Sequence, residues 1–168
     1  MTEYWDLLKT LAQIFSAFAG FAGVVAAFST IHLSPEATVF RVRALVAVAL
    51  FSLVASLLPF FAGAFNVSEA DTLRISALFF GLGMCSIGLW VWRQLSSLYT
   101  AGLLDTQVYF WPLFILAVVI IVGLFAVSGG LVHEMAAAIY LSGLYLGLFL
   151  CSYYFVMVIF AVEMKTRK

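Results

Sequence analysis

The sequence predicts an all-α integral membrane protein, a single domain over residues 1–168 built as a bundle of five transmembrane helices. Three observations carry this expectation. Of the residues, 65% are hydrophobic and only 10% are charged, whereas a soluble domain carries about 25% charged residues. The chain also divides into five apolar stretches, approximately 11–31, 44–65, 73–93, 109–128 and 136–162. Each is close to the ~20 residues that cross a ~30 Å hydrocarbon core. Finally, the charges fall between these stretches or at their ends, and the Ser-Pro and Gly-Gly signals fall between them, where turns belong. No short repeat, low-complexity tract or linker divides the chain.

The first helix opens with Thr2, Glu3 and Asp6, a capping hydroxyl with acids in the first turn. Tyr4 and Trp5 are amphipathic rings suited to a headgroup layer. Acids precede the apolar run where a signal peptide would carry basic residues, so the first span is expected to be retained. From Leu11 to Thr30, Ala12, Ser16, Ala19, Gly20, Gly23, Ala27 and Thr30 share one narrow face. Ile14, Phe18, Phe21, Val25 and Phe28 share the opposite one. Small faces let helix backbones approach closely in lipid, where burying apolar surface gains nothing. This segment is therefore expected to be the packing spine.

Ser34-Pro35-Glu36 starts the second helix, with serine as cap and proline in the first turn, where its missing N–H costs nothing. Pro59, inside this helix, frees a backbone carbonyl one turn earlier and predicts a kink. It shares a face with Ser52, Ser56 and Gly63. Ser68 and Asp71 form a capping pair for the third helix. There Gly81, Cys85 and Gly88 line one side and Gly83 and Ser86 nearly the opposite one, the pattern of a helix packed between two neighbours. Trp90, Trp92 and Arg93 mark its exit, with a surface continuation up to Gly102.

Asp105-Thr106 caps the fourth helix, and Tyr109, Phe110 and Trp111 form its belt. Between Leu113 and Val127 it is almost purely Leu, Ile, Val and Phe, so it is expected to have the most lipid contact. Gly129-Gly130 ends it. The fifth helix begins near Glu134, and Ala136, Tyr140, Gly143, Gly147, Tyr154 and Ala161 share a face. That face suits helix packing with its hydroxyls tied to backbone, or a flat or lipidic ligand.

Arg41, Arg43, Arg93, Lys165, Arg167 and Lys168 fall on one side of such a bundle, and Lys9 and Arg74 on the other. The basic side is expected to be cytoplasmic, which puts the N-terminus outside and the C-terminus inside a plasma membrane of the bacterial inner-membrane kind. Glu3, Asp6, Glu69, Asp71 and Glu134 then lie outside, at the N-terminal ends of helices one, three and five. There they complement helix dipoles or form an electronegative mouth.

The function classes follow from what the spans contain. No charge lies between the interfaces, which argues against proton-coupled transport, voltage sensing and intramembrane catalysis. His133-Glu134 resembles the start of HExxH, but position 137 is alanine, so the second zinc ligand is missing. His32 and His133 fall on opposite sides and cannot share a haem or metal within one protomer. Cys85 and Cys151 lie in apolar segments and read as small hydrophobes. No catalytic residue, cofactor or metal is expected, and a net charge of zero with no basic patch gives no case for nucleic acid.

What remains is a small non-enzymatic membrane module that associates with lipid and with copies of itself or a partner subunit. Its expected packing residues are Ser16, Ala19, Gly20, Gly23, Ala27, Gly81, Gly88, Gly143 and Gly147. The alternative is a homo-oligomeric conduit for small ions between protomers, with Gln13 and Ser16 near its axis and Glu3 and Asp6 at its mouth. A single protomer is expected to close over a dry interior.

Overall fold

The computed structural model describes the backbone of residues 2–32, 36–65, 67–100 and 110–166, and the side chains of 4–24, 39–65, 67–97, 100 and 112–159. The Ser34-Pro35 start, Gly102, the Asp105-Thr106 cap and Tyr109 lie outside the described residues. So do the side chains of Glu3, Ala27, His32, Phe110 and Trp111. The described residues form five helices: α1 (Thr2–His32), α2 (Glu36–Ala64), α3 (Glu69–Thr100), α4 (Phe110–Ser128) and α5 (Ala136–Thr166). Among the described residues there is no strand. Four helices are long and apolar enough to cross a membrane; the apolar stretch of α4, Pro112–Ser128, is shorter, at ~25 Å for a rise of ~1.5 Å per residue.

The helix ends follow the local chemistry. The Ser68 hydroxyl accepts from the Asp71 amide at 3.2 Å and donates to the Asp71 carboxylate at 2.7 Å, so Ser68 caps the first turn of α3. At the end of α4, Leu131 N–H donates to Ala126 O and Gly130 N–H to Val127 O, both at 3.0 Å. This is a Schellman motif, and its turning residue Gly130 has φ 75°, which an L side chain rarely adopts. Arg74 lies against Gly130. Its guanidinium meets Asp71 at 3.3 Å and His133 Nε2 at 3.0 Å. Arginine only donates, so that imidazole nitrogen accepts. The start of α3 is thereby tied to the α4–α5 turn.

α2, α3, α4 and α5 close a four-helix ring, each touching the next, and α1 lies outside it against α2 and, more lightly, α5. α2 is the hub, with 44% of its apolar span buried against 28% for α1. The expectation that the small-residue face of α1 is the spine therefore does not hold within the chain. α1 packs mainly through Leu8, Leu11, Phe15 and Ala22, all buried; of the small-residue face Ala12 is buried and Ala19 half-buried, while Ser16, Gly20 and Gly23 are exposed. The reason is complementarity. Buried positions of α2 include the small residues Ala44, Ala49, Ser52, Ala55 and Ser56, and small residues on one helix leave space for large side chains of a neighbour; Phe15 of α1 and Ser52 of α2 both lie against Gly147.

α3 lies between α2 and α4. Gly83 faces the Phe51 ring of α2, and Gly81 faces Leu124 and Phe125 of α4. On α4, Ile115, Leu116, Val119 and Val122 turn away from the bundle.

Candidate functional site

Pro59 sits inside α2 and has no N–H, so the carbonyl of Ala55, four residues earlier, loses its intrahelical donor. In a dry interior that orphan carbonyl is costly unless a neighbour serves it. The Tyr140 hydroxyl of α5 donates to it, and Tyr140 is fully buried. A proline in one helix and a tyrosine in another are thus joined by a bond across the centre of the bundle. The Tyr140 ring stands edge-on to Phe80 of α3, with centroids 5.4 Å apart.

Further hydroxyls gather in the half of the bundle where α1, α3 and α5 begin. Ser52, Ser56, Thr72 and Ser76 are its buried polar residues. Ser76 lies beside the Tyr140 hydroxyl without an aligned hydrogen bond to it. Ser56 donates to Leu53 O at 2.8 Å. The side-chain oxygens of Tyr4, Ser52, Thr72 and Ser76, in contrast, are buried with no partner.

Hydroxyls in apolar helices usually bond to a carbonyl one turn back. In this chain Thr10, Ser86, Ser128, Ser142 and Ser152 do so. Thr72, Ser76 and Ser52 turn away from that option. The expectation that one protomer lacks a polar interior is corrected accordingly: within this half the protomer holds a polar centre with oxygens left over.

Above the centre a cleft of about 190 Å³ is lined by Tyr4 and Trp5 of α1, Pro59 and Gly63 of α2, Val67, Glu69, Thr72 and Leu73 at the start of α3, and Ala137 of α5. Trp5 is held by Phe60 on one side, with ring centroids 5.1 Å apart, and by Tyr4 on the other, at 5.6 Å. A second cleft of about 430 Å³ lies between α3 and α4 with α2 and α5 behind it. Met84, Gly88, Leu113, Ala117 and Tyr153 line it, together with Cys85, and its surface is nearly all apolar.

The residues singled out from the sequence divide between the interior and the outside. Gly81, Gly143 and Gly147 are packed within the chain. A Cβ on Gly143 would lie 2.6 Å from Phe80, and one on Gly147 would lie 2.5 Å from the Ser52 hydroxyl. The notch of α5 is therefore filled by side chains of α2 and α3. Ala19 is half-buried against the core. Gly88 faces the apolar cleft with no atom within 4 Å of a built Cβ, and the same holds for Gly20 and Gly23. Gln13 and Ser16 are exposed on that open face of α1, and Asp6 is exposed and pairs with Lys9 at 3.4 Å. Tyr4, Thr72 and Ser76 are the members of the polar centre that sequence reasoning missed. The signal that points to them is the carbonyl freed by Pro59, which demands a donor from another helix.

Among the described residues no group of three or more His, Cys, Asp or Glu could hold a metal ion. No protein-family model matches this chain, and no curated protein or solved structure matches it either.

Proposed function

We propose that this chain is a non-enzymatic, multi-pass membrane protein that works as a helix-packing module, binding a copy of itself or a partner subunit through the outer face of α1. The observation that carries this reading is the chemistry of that face. Gln13, Ser16, Gly20 and Gly23 stand exposed on it, and a helix turned toward lipid gains nothing from a polar amide and a row of small residues. A second helix laid against them gains close backbone contact and a hydrogen bond to Gln13. All five helices cross the bilayer in this reading, α4 with the shortest span, and the Lys and Arg distribution puts the N-terminus outside.

Purification in mild detergent tests the association. A defined dimer or a co-purifying membrane protein, lost on Gly20→Leu, is the expected result; a monodisperse monomer unaffected by Gly20→Leu contradicts it. For orientation, Ser68→Cys and Leu131→Cys in a Cys-free background react with an impermeant maleimide from outside, and Ala101→Cys does not. Gln13 and Ser16 on the same open face also favour a second reading, an ion conduit on an axis between protomers. Its test is ion flux in liposomes holding the purified protein, blocked by Ser16→Leu and made less cation-selective by Glu3→Asn with Asp6→Asn.

A further inference from the structure

We propose that the cleft between α3 and α4 is a binding site for an anionic phospholipid, one acyl chain lying in the cleft and the headgroup phosphate meeting Arg93 and Arg41. The proposal rests on the chain lying in a membrane and not on the α1 contact. α3 and α4 touch at Gly81, where a built Cβ would lie 3.5 Å from Leu124, and again at Trp92 and Phe114, whose ring centroids are 5.4 Å apart. Between these contacts they stand apart, and no other helix comes within 4 Å of a built Cβ on Gly88. The gap is the cleft of about 430 Å³, within the usual ~300–1,000 Å³ of a ligand site. Its floor is Val48, Met84, Val91 and Tyr154, all buried, while the lining residues Leu89 and Val118 are exposed at its rim. It therefore opens toward lipid.

Size and charge define the occupant. An empty cleft forfeits dispersion contacts along its walls, and the molecules at its rim in a bilayer are lipid chains. A second helix does not fit. From Met84 to Trp92 the cleft runs ~12 Å along α3, and a helix ~10–12 Å across needs roughly twice the cleft's volume over that length. A single acyl chain is thin enough. The headgroup is set by the charge beyond one end. Arg93 lies one helical turn past Leu89 on α3, and Arg41 lies two turns before Val48 on α2, so each continues a strip that walls the cleft. The Phe40 ring meets Trp90 with centroids 5.7 Å apart, which holds these two helix ends side by side. Neither arginine forms an ion pair with a described residue. α4 begins at Phe110, one turn from Leu113 in the lining, and the positive end of its dipole adds to the same field. Guanidinium groups pair well with phosphate, and basic sites between membrane helices suit anionic headgroups.

The test uses the full chain, purified in mild detergent with equal amounts of phosphatidylglycerol and phosphatidylcholine of identical acyl chains. Native mass spectrometry then counts retained lipid and the number of chains separately. The expected result is one phosphatidylglycerol per chain, preferred about tenfold over phosphatidylcholine, the scale of one or two arginines acting on an anionic headgroup. Arg41→Gln with Arg93→Gln abolishes the preference. Gly88→Leu, which fills the cleft, loses the lipid, whereas Val119→Leu, outside the cleft on the exposed side of α4, retains it. Ala117→Leu, filling the cleft from α4, serves as the second variant should Gly88→Leu lose its helical circular dichroism. A monomer that keeps its lipid upholds the proposal while contradicting the α1 contact. No retained lipid, equal retention of the two lipids, or retention unchanged by both cleft-filling variants overturns it.

Discussion

α1 and α4 each turn one face away from the bundle, and the two faces are chemical opposites. That of α4 is Ile115, Leu116, Val119 and Val122; that of α1 runs through Gln13, Ser16, Ala17, Gly20, Phe21 and Gly23 before reaching Val24. Branched aliphatic side chains are what a lipid-facing surface requires and nothing more. A glutamine with small residues at helical spacing is what an interhelical contact requires. The comparison teaches that exposure within one protomer has two meanings here, finished surface on α4 and unfinished contact on α1.

Glycine substitutions give the sharpest contrast and the largest expected effect. Gly147→Leu drives a side chain into Ser52 and toward Phe15, and Gly83→Leu drives one into Phe51. Each is expected to destabilise the protomer by ~1–3 kcal/mol, the scale of overpacking, with Gly147→Leu the worse because Gly147 is buried whereas Gly83 and Phe51 are half-buried. Gly20→Leu and Gly23→Leu meet no atom of the same chain and leave protomer stability unchanged, while weakening association by ~1–3 kcal/mol if a second helix covers them. Unfolding in a graded detergent series, set beside the dimer dissociation constant, separates the two.

Tyr140→Phe comes next. It leaves the Ala55 carbonyl without the donor that Pro59 cannot supply, and is expected to cost ~1–3 kcal/mol, the penalty of a buried unsatisfied acceptor. Adding Pro59→Ala restores an N–H four residues after Ala55, so the double variant recovers much of the loss. Additive losses would show that the two residues act separately.

The element ends were legible because local chemistry decides them. Ser68 with Asp71, and Gly129 with Gly130, need no distant partner to cap or turn a helix. Pro59 announced an orphan carbonyl for the same reason. The inward face of α1 was not legible. Its packing depends on the neighbour it meets, α2, and spacing within one apolar helix does not say which neighbour that will be. The polar centre was hidden likewise. Tyr4, Ser52, Thr72, Ser76 and Tyr140 come from four helices, and each alone reads as an ordinary hydroxyl in an apolar run.

The smallest expected effects belong to α4. Val119→Ala and Val122→Ala remove exposed methyl groups and are expected to change stability by less than ~0.5 kcal/mol, the range of surface substitutions. A large loss at either site, read in the same detergent series, would show that this face is covered and would erase the contrast with α1.

Cysteine cross-linking in native membranes tests the contrast most directly. In a background with Cys85 and Cys151 replaced by alanine, single cysteines are placed at Ser16 and Gly20 on α1 and at Val119 and Val122 on α4. The account predicts cross-linked species of one defined size from positions 16 and 20 after mild oxidation or a short bifunctional maleimide, and only monomer from 119 and 122. Monomer from all four positions, or equal cross-linking from both helices, would contradict the claim that the open face of α1 is a contact surface.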